Sequence, residues 1–277
     1  PESLKHIQMP PPILFYKGDI SILDHRNNIA VIGSRAPTNY GLYCVRKYAK
    51  ELSDIGMDIV SGLALGIDSE AHLACMNGRF GKTVAVLGSP IDNILPSRNR
   101  KIADKILENG GIIVSEFFLG SKVHPLNFSF RNRIISGLSD KVIVVEAREK
   151  SGSLITVEWA LEQGKDVMAV PGRVGEKLSD GCNCLIRAGA GIITGANDVL
   201  NDIQYSGSKN ENEKKQKEKS LEKDLALLYS GLRLQPKNIY ELMNETGFKY
   251  EELTGMLLKL QLMGLVEQPS ENYYSKA

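Results

Sequence analysis

Three glycine- and serine-rich turns and one aromatic, basic segment carry the chemistry open to this chain. The first turn, Ile32-Gly33-Ser34-Arg35-Ala36-Pro37-Thr38-Asn39-Tyr40-Gly41, follows a β-branched run. A glycine at such a strand end lets backbone amides approach an anion at the start of the next helix. Arg35 adds a full positive charge whose planar fork suits phosphate oxygens, although an exposed arginine in a turn fits the same position. A dinucleotide site would want G-x-G-x-x-G here. Arg35 and Thr38 stand where the second and third glycines belong, and Ser61 stands where an acid would bind a ribose. NAD and FAD are therefore not expected, and no other cofactor is indicated.

The second turn, Ser61-Gly62-Leu63-Ala64-Leu65-Gly66-Ile67-Asp68, is another flexible, donor-rich loop at a strand's carboxyl end. Open α/β sheets bind ligands at that edge. Asp68 and His72 are four apart and share a helix face, so they could trade a proton. The plainer reading has Asp68 capping the helix and His72 as a satisfied structural residue. The third turn, Ser151-Gly152-Ser153, opens a helix carrying Thr156 and Glu158. Such a start suits a phosphate contact and ordinary N-capping alike. Cys182 and Cys184 lack the four N or S ligands of structural zinc, so no metal site is expected.

Between these turns, Phe117, Phe118, Phe128 and Phe130 are interleaved with Lys122, Arg131 and Arg133 in what reads as a loop. Aromatic faces and cations together suit single-stranded nucleic acid, whose bases stack while its phosphates pair. A core of phenylalanines with arginines holding helix ends fits the same residues. Over residues 95–135, which include Arg98, seven basic residues stand against three acids. The whole chain, with 34 Lys+Arg and 33 Asp+Glu, carries only +1. That total excludes a histone-like polycation but not a nucleic-acid site, which needs only a local patch.

These loops need strands to hold them. Short β-branched runs at 29–32, 57–60, 83–87, 111–114, 142–145, 167–170 and 191–194 are continuous rather than alternating. That is the pattern of parallel strands buried on both faces. Residues 40–55, 102–108 and 153–163 have helical spacing between them. The alternation predicts an α/β fold over 1–203, a parallel sheet with helices on both faces. Within it, residues 1–28, with Pro10-Pro11-Pro12, read as an extended lead-in. Residues 204–223 have linker composition, with no Val, Ile, Leu or Phe over 204–220.

Helical stripes return at Leu225/Leu228/Leu232, Ile239/Leu242/Met243 and Leu253/Met256/Leu257/Leu260, followed by a hairpin from Gly264. They predict a small winged-helix-like domain over 224–277. Its five basic residues against seven acids suit protein better than DNA. The 277 residues, 42% hydrophobic, suffice for a core without disulfide staples. No run approaches the ~18 apolar residues of a membrane span, and four irregularly spaced cysteines point to a reducing cytoplasm. The opening Pro1-Glu2-Ser3 is neither a signal peptide nor a translation start and reads as a trimmed terminus.

Taken in order, several motifs resemble the DNA-processing protein A family, also called Smf. They are Ile32-Gly33-Ser34-Arg35 with Tyr40-Gly41, the whole second turn with Ala71-His72, Phe130-Arg131-Asn132-Arg133-Ile134-Ile135-Ser136-Gly137-Leu138, Ser151-Gly152-Ser153-Leu154-Ile155-Thr156, and Ala169-Val170-Pro171-Gly172. Asn183, Leu185-Ile186 and Gly189-Ala190 continue the match, which spans residues 10–200. The resemblance implies an extended Rossmann-like domain that forms a homodimer and binds single-stranded DNA. It also implies loading of the recombinase RecA onto incoming DNA during natural transformation, a role that is not enzymatic. Many members carry a further N-terminal helical domain, and the resemblance leads one to expect it to be absent or cut away here. Carried onto this chain, the family's basic pocket falls on Gly33, Ser34, Arg35, Ser61, Gly62, Lys122, Phe130, Arg131, Asn132 and Arg133. Arg98, Ser151, Gly152, Ser153 and Thr156 are additional candidate phosphate contacts. Cys182 and Cys184 depart from the family's Thr or Ser. A rival reading is a nucleoside monophosphate phosphoribohydrolase-like enzyme, loosely echoed by Ser151-Gly152-Ser153 with Thr156 and Glu158. Its P-G-G-x-G-T signature is missing.

Overall fold

Every position of the strand Asn28–Ile32 is buried. Ile29 and Val31 enter one apolar layer, while Ala30 and Ile32 enter another. Alternate side chains of a strand face opposite sides, so this strand lies in a sheet covered on both faces. The computed structural model describes residues 1–24, 27–200, 223–232, 236–263, 265–270 and 272–276. They fall in two units, Pro1–Gln204 and Tyr205–Ala277.

The first unit is built on eight strands: β1 (Phe15–Gly18), β2 (Asn28–Ile32), β3 (Asp58–Ser61), β4 (Thr83–Leu87), β5 (Ile112–Ser115), β6 (Lys141–Val144), β7 (Asp166–Ala169) and β8 (Gly191–Ile192). Their order is β1-β5-β4-β3-β2-β6-β7-β8. β2 to β8 are mutually parallel, and β1 runs antiparallel along β5. The helices are α1 (Asn39–Asp54), α2 (Ile67–Met76), α3 (Arg100–Glu108), α4 (Pro125–Gly137), α5 (Gly152–Glu162), α6 (Asp180–Arg187) and α7 (Asn197–Leu200). α1, α2 and α7 bury Val45, Leu52, Ala71, Ala74 and Val199 in one layer. α4, α5 and α6 bury Ile134, Ile135, Val157, Ala160 and Cys182 in the other. This is the extended Rossmann-like sheet expected, with a mixed edge.

Two expectations are corrected. Residues 1–28 are not simply extended: 3-10 turns form at Glu2–Lys5 and Ile20–Asp24, and β1 closes the sheet edge. Leu4 and Ile7 are buried against α4, where a Cβ on Gly137 would meet their side chains at 2.8 and 2.9 Å. The aromatic, basic segment is only partly a loop, because Pro125–Gly137 is helical. Pro125 sits in its first turn, where no amide is needed, and His124 Nδ1 accepts from Leu126 N at 3.3 Å.

The second unit contains α8 (Lys223–Gly231), β9 (Lys237–Asn238), α9 (Ile239–Thr246), α10 (Tyr250–Leu262), β10 (Val266–Ser270) and β11 (Tyr273–Lys276). Its strands form an antiparallel sheet in the order β10-β11-β9. Leu225, Leu228, Ile239, Leu242, Leu253, Leu257 and Leu260, drawn from all three apolar stripes, share one core. Apart from Lys223, the linker expected at 204–223 lies outside the described residues.

Candidate nucleic-acid interface

The chain leaves β2 through α1 toward β3 and β4. After β5 it crosses back through α4 and sets β6 on the other side of β2. The strand order therefore reverses between β2 and β6, and a crevice opens beyond their carboxyl ends, as open α/β sheets provide. A cavity of about 370 Å³ lies there. Of the residues expected from sequence, its walls include Gly33, Ser34, Arg35, Arg131, Asn132, Ser151, Gly152, Ser153 and Thr156. Arg148 and Lys150, which sequence reasoning passed over, line it too, and Asp68 is the only acid among its described walls.

The first turn does not offer a free helix start. α1 begins at Asn39, and its cap Thr38 accepts from Gly41 N at 3.2 Å. The Glu146 carboxylate, 2% exposed, accepts from the Thr38 amide at 2.9 Å and from its hydroxyl at 2.5 Å. A Cβ on Gly41 would lie 2.4 Å from that carboxylate. The positive end of the helix dipole is thus met by an internal anion, which corrects the expected approach of a ligand phosphate there. Gly33 O accepts from Ser153 Oγ at 2.8 Å, and Ser34 O accepts from Ile67 N at 3.0 Å. Arg35 is left exposed at the cavity wall, without a hydrogen bond or ion pair to any described residue.

Arg131 lies deeper, 4% exposed. Its Nη1 donates to Gly62 O at 2.8 Å and to Val86 O, and its Nε donates to Asn132 Oδ1 at 3.2 Å. Asp68 accepts from Gly62 N at 3.2 Å. A Cβ on Gly62 would fall 2.6 and 2.7 Å from the guanidinium nitrogens and 2.7 Å from Asp68 Oδ2. Gly62 is thus required by the charged groups packed over it. Burial pushes the Arg131 guanidinium down to about 10, against the pull of Asp68, so it stays charged at neutral pH. Burial also raises the Asp68 carboxyl, and Arg131 opposes that rise. Ser61 is fully buried and donates to Val31 O at 2.6 Å. Ser61 and Gly62 therefore build the loop without lining the cavity. Asp68 is not the expected cap either: Gly66 precedes α2, and Asp68 turns back to the loop from within the first turn.

Arg133 is also redirected. It is 1% exposed, forks onto Glu116 at 2.8 and 2.5 Å, and donates to Met9 O at 3.0 Å. Its guanidinium lies 3.8 Å from the centroid of the Phe130 ring. A cation so committed ties α4 to β5 and to the N-terminal segment, so the expected phosphate contact becomes a buried ion pair. One face of Phe130 is taken by the same group. Lys122 and Arg98 are exposed, but neither lines the cavity. Part of the local basic excess is therefore internal.

The remaining candidates separate as well. His72 Nδ1 lies 2.6 Å from Thr83 Oγ1, and burial pushes the imidazole down to about 3, so it is neutral. Ser151 caps α5, accepting from Ser153 N at 3.3 Å. Thr156 is buried and lines the cavity, whereas Glu158 is exposed and does not. Cys182 is buried with its Sγ 3.6 Å from Val144 O, and Cys184 Sγ lies 3.8 Å from Glu149 Oε1.

Comparison with known proteins places this geometry among relatives. A family model described as DNA recombination-mediator protein A matches residues 1–204. The chain is 44% identical over 206 residues to DNA processing protein DprA of Streptococcus pneumoniae, covering 74% of this chain and 71% of that protein. It is 33% identical over 313 residues to protein Smf of Synechocystis, covering 100% and 77%. The X-ray structure of the S. pneumoniae protein superposes with a TM-score of 0.69 at 42% identity, over 74% of this chain and 71% of that one. A structure of DNA processing protein A from Helicobacter pylori, described for its single-stranded DNA binding mode, superposes with a TM-score of 0.67 at 33% identity, over 73% and 91%.

Proposed function

The chain belongs to the DNA recombination-mediator protein A family, and from that premise we propose that it binds single-stranded DNA in the crevice beyond β2 and β6. In this reading it acts in the cytoplasm as a homodimer, protects incoming DNA and loads the recombinase RecA during natural transformation, without catalysing a reaction. One observation carries it: exposed Arg35, Arg148 and Lys150 line the crevice, while Asp68, the one acid among its described walls, is buried beside Arg131. Such a cavity suits a phosphate chain and offers no free carboxylate for proton transfer. Phe128, half-buried at the same wall, offers a ring for base stacking. A phosphoribohydrolase-like site would want Glu158 beside Thr156, and Glu158 stands outside the cavity. The second unit is assigned a winged-helix-like role in contacting protein, because Glu251 and Glu252 open α10 and would repel phosphates.

The test is a titration of labelled single- and double-stranded DNA at several salt concentrations. The single strand should bind more tightly, without sequence preference. Arg35→Ala should flatten the slope of log affinity against log salt by about 0.7, the increment for one single-strand phosphate contact, with the melting temperature unchanged. An unchanged slope in folded Arg35→Ala protein, or a preference for duplex, would count against the reading.

A further inference from the structure

Five cations stand near the crevice, and the structure divides them sharply. Arg131 is spent on backbone carbonyls and Arg133 on Glu116. Arg35, Arg148 and Lys150 are exposed and have no hydrogen bond or ion pair with a described residue. Two of those three belong to the loop between β6 and α5. We propose that Arg148 and Lys150 are DNA-binding residues that grip the phosphate backbone opposite Arg35. This rests on the single-strand reading above and names the residues that would serve it.

The loop that carries them is anchored at both ends while their side chains are not. Glu146 is fixed by Thr38. Ala147 N donates to Leu178 O at 2.8 Å, and Ala147 O accepts from Gly181 N at 2.9 Å. A Cβ on Gly181 would lie 2.6 Å from Ala147 O and 2.7 Å from Arg148 O, so α6 packs directly on this backbone. At the far end Ser151 caps α5, and Ser153 Oγ donates to Gly33 O across the crevice at 2.8 Å. The intervening acid, Glu149, is not a cavity wall, and its Oε1 lies 3.8 Å from Cys184 Sγ on α6. The loop therefore sends its two cations into the crevice and its two acids, Glu146 and Glu149, elsewhere. A backbone held in place before binding loses little entropy when a ligand arrives. Phosphate contacts from such a position add affinity without reading sequence.

The experiment measures single-strand affinity against salt for the full chain and for Arg148→Ala, Lys150→Ala, the double variant, Lys150→Glu and Glu149→Gln, with melting temperatures alongside. Each alanine variant should bind about tenfold more weakly at low salt and flatten the slope by about 0.7, and the double variant by about 1.4. Lys150→Glu should weaken binding further than Lys150→Ala, and Glu149→Gln should leave the slope unchanged. Melting temperatures should stay at the starting value. If Arg35→Ala flattens the slope while folded Arg148→Ala, Lys150→Ala and Lys150→Glu proteins match the starting chain, the proposal is overturned and single-strand binding stands. If the starting chain itself fails to hold single strands, the reading beneath the proposal falls, and the proposal with it.

Discussion

A histidine that cannot take a proton while folded makes a protein sensitive to acid. His72 is fully buried, and its Nε2 has no partner among the described residues. Burial, with a smaller push from Arg131, moves its titration from the ordinary 6.5 down to about 3. Between those values the unfolded chain binds the proton and the folded chain does not. The stability due to neutral burial is therefore complete above about pH 6.5 and is lost as pH falls toward 3, by up to about 1.4 kcal/mol per pH unit. Urea unfolding at pH 7, 6 and 5 should show this loss, and His72→Gln should flatten it. Identical pH slopes in the two proteins would remove His72 as the cause. Gly62 teaches a related lesson. Its turn is readable from sequence, yet the reason for the glycine is a buried guanidinium contributed from α4, far along the chain.

At the scale of elements, α4 is both the most consequential and the least legible. Its last seven residues, Arg131 to Gly137, are all buried, and Arg131, Asn132 and Arg133 interrupt any apolar stripe. Helical periodicity is read from apolar residues, so a helix that buries charge looks like a polar loop. The parallel strands were legible for the opposite reason, because burial on both faces makes them continuous apolar runs. β1 escaped notice because only Phe15 of its four residues is shielded from full exposure, whereas β8, though two residues long, lies within the run read at 191–194. Arg148 and Lys150 escaped because Glu146 and Glu149 make their segment look neutral, although Glu146 is turned under α1. The Arg133–Glu116 pair gives α4 a measurable anchor, with side chains 2% and 8% exposed. Glu116→Ala strands a buried guanidinium and should cost about 3–5 kcal/mol, while Arg133→Met with Glu116→Leu should recover most of that. Denaturant unfolding of the three proteins checks it. A cost below about 1 kcal/mol, the range of exposed pairs, would refute the anchor.

Across the whole molecule, charge and core divide along the same line. The first unit contains the crevice, and the second has its own apolar core with acids at the head of α10. Deleting residues 209–277 should leave the number of phosphate contacts, and therefore the salt slope, as it was. A slope flattened by more than about 0.7 in the folded remainder would mean that the second unit touches DNA. Within the first unit, the two lips of the crevice differ in kind. On the lip beside α1, Glu146 is a ligand supplied by the chain itself, present at an effective concentration that no solute matches. A site that is always occupied cannot respond to mass action. Added ligand stabilises a fold only through sites it finds empty, so the start of α1 contributes in full before any strand arrives. In the proposed reading, whatever rise in melting temperature DNA produces must come from the exposed cations, Arg35 on this lip and Arg148 and Lys150 on the other. On that reading the crevice combines a permanent internal counter-ion, Glu146 at the start of α1, with an exchangeable polyanion on its exposed cations, and only the second answers to salt.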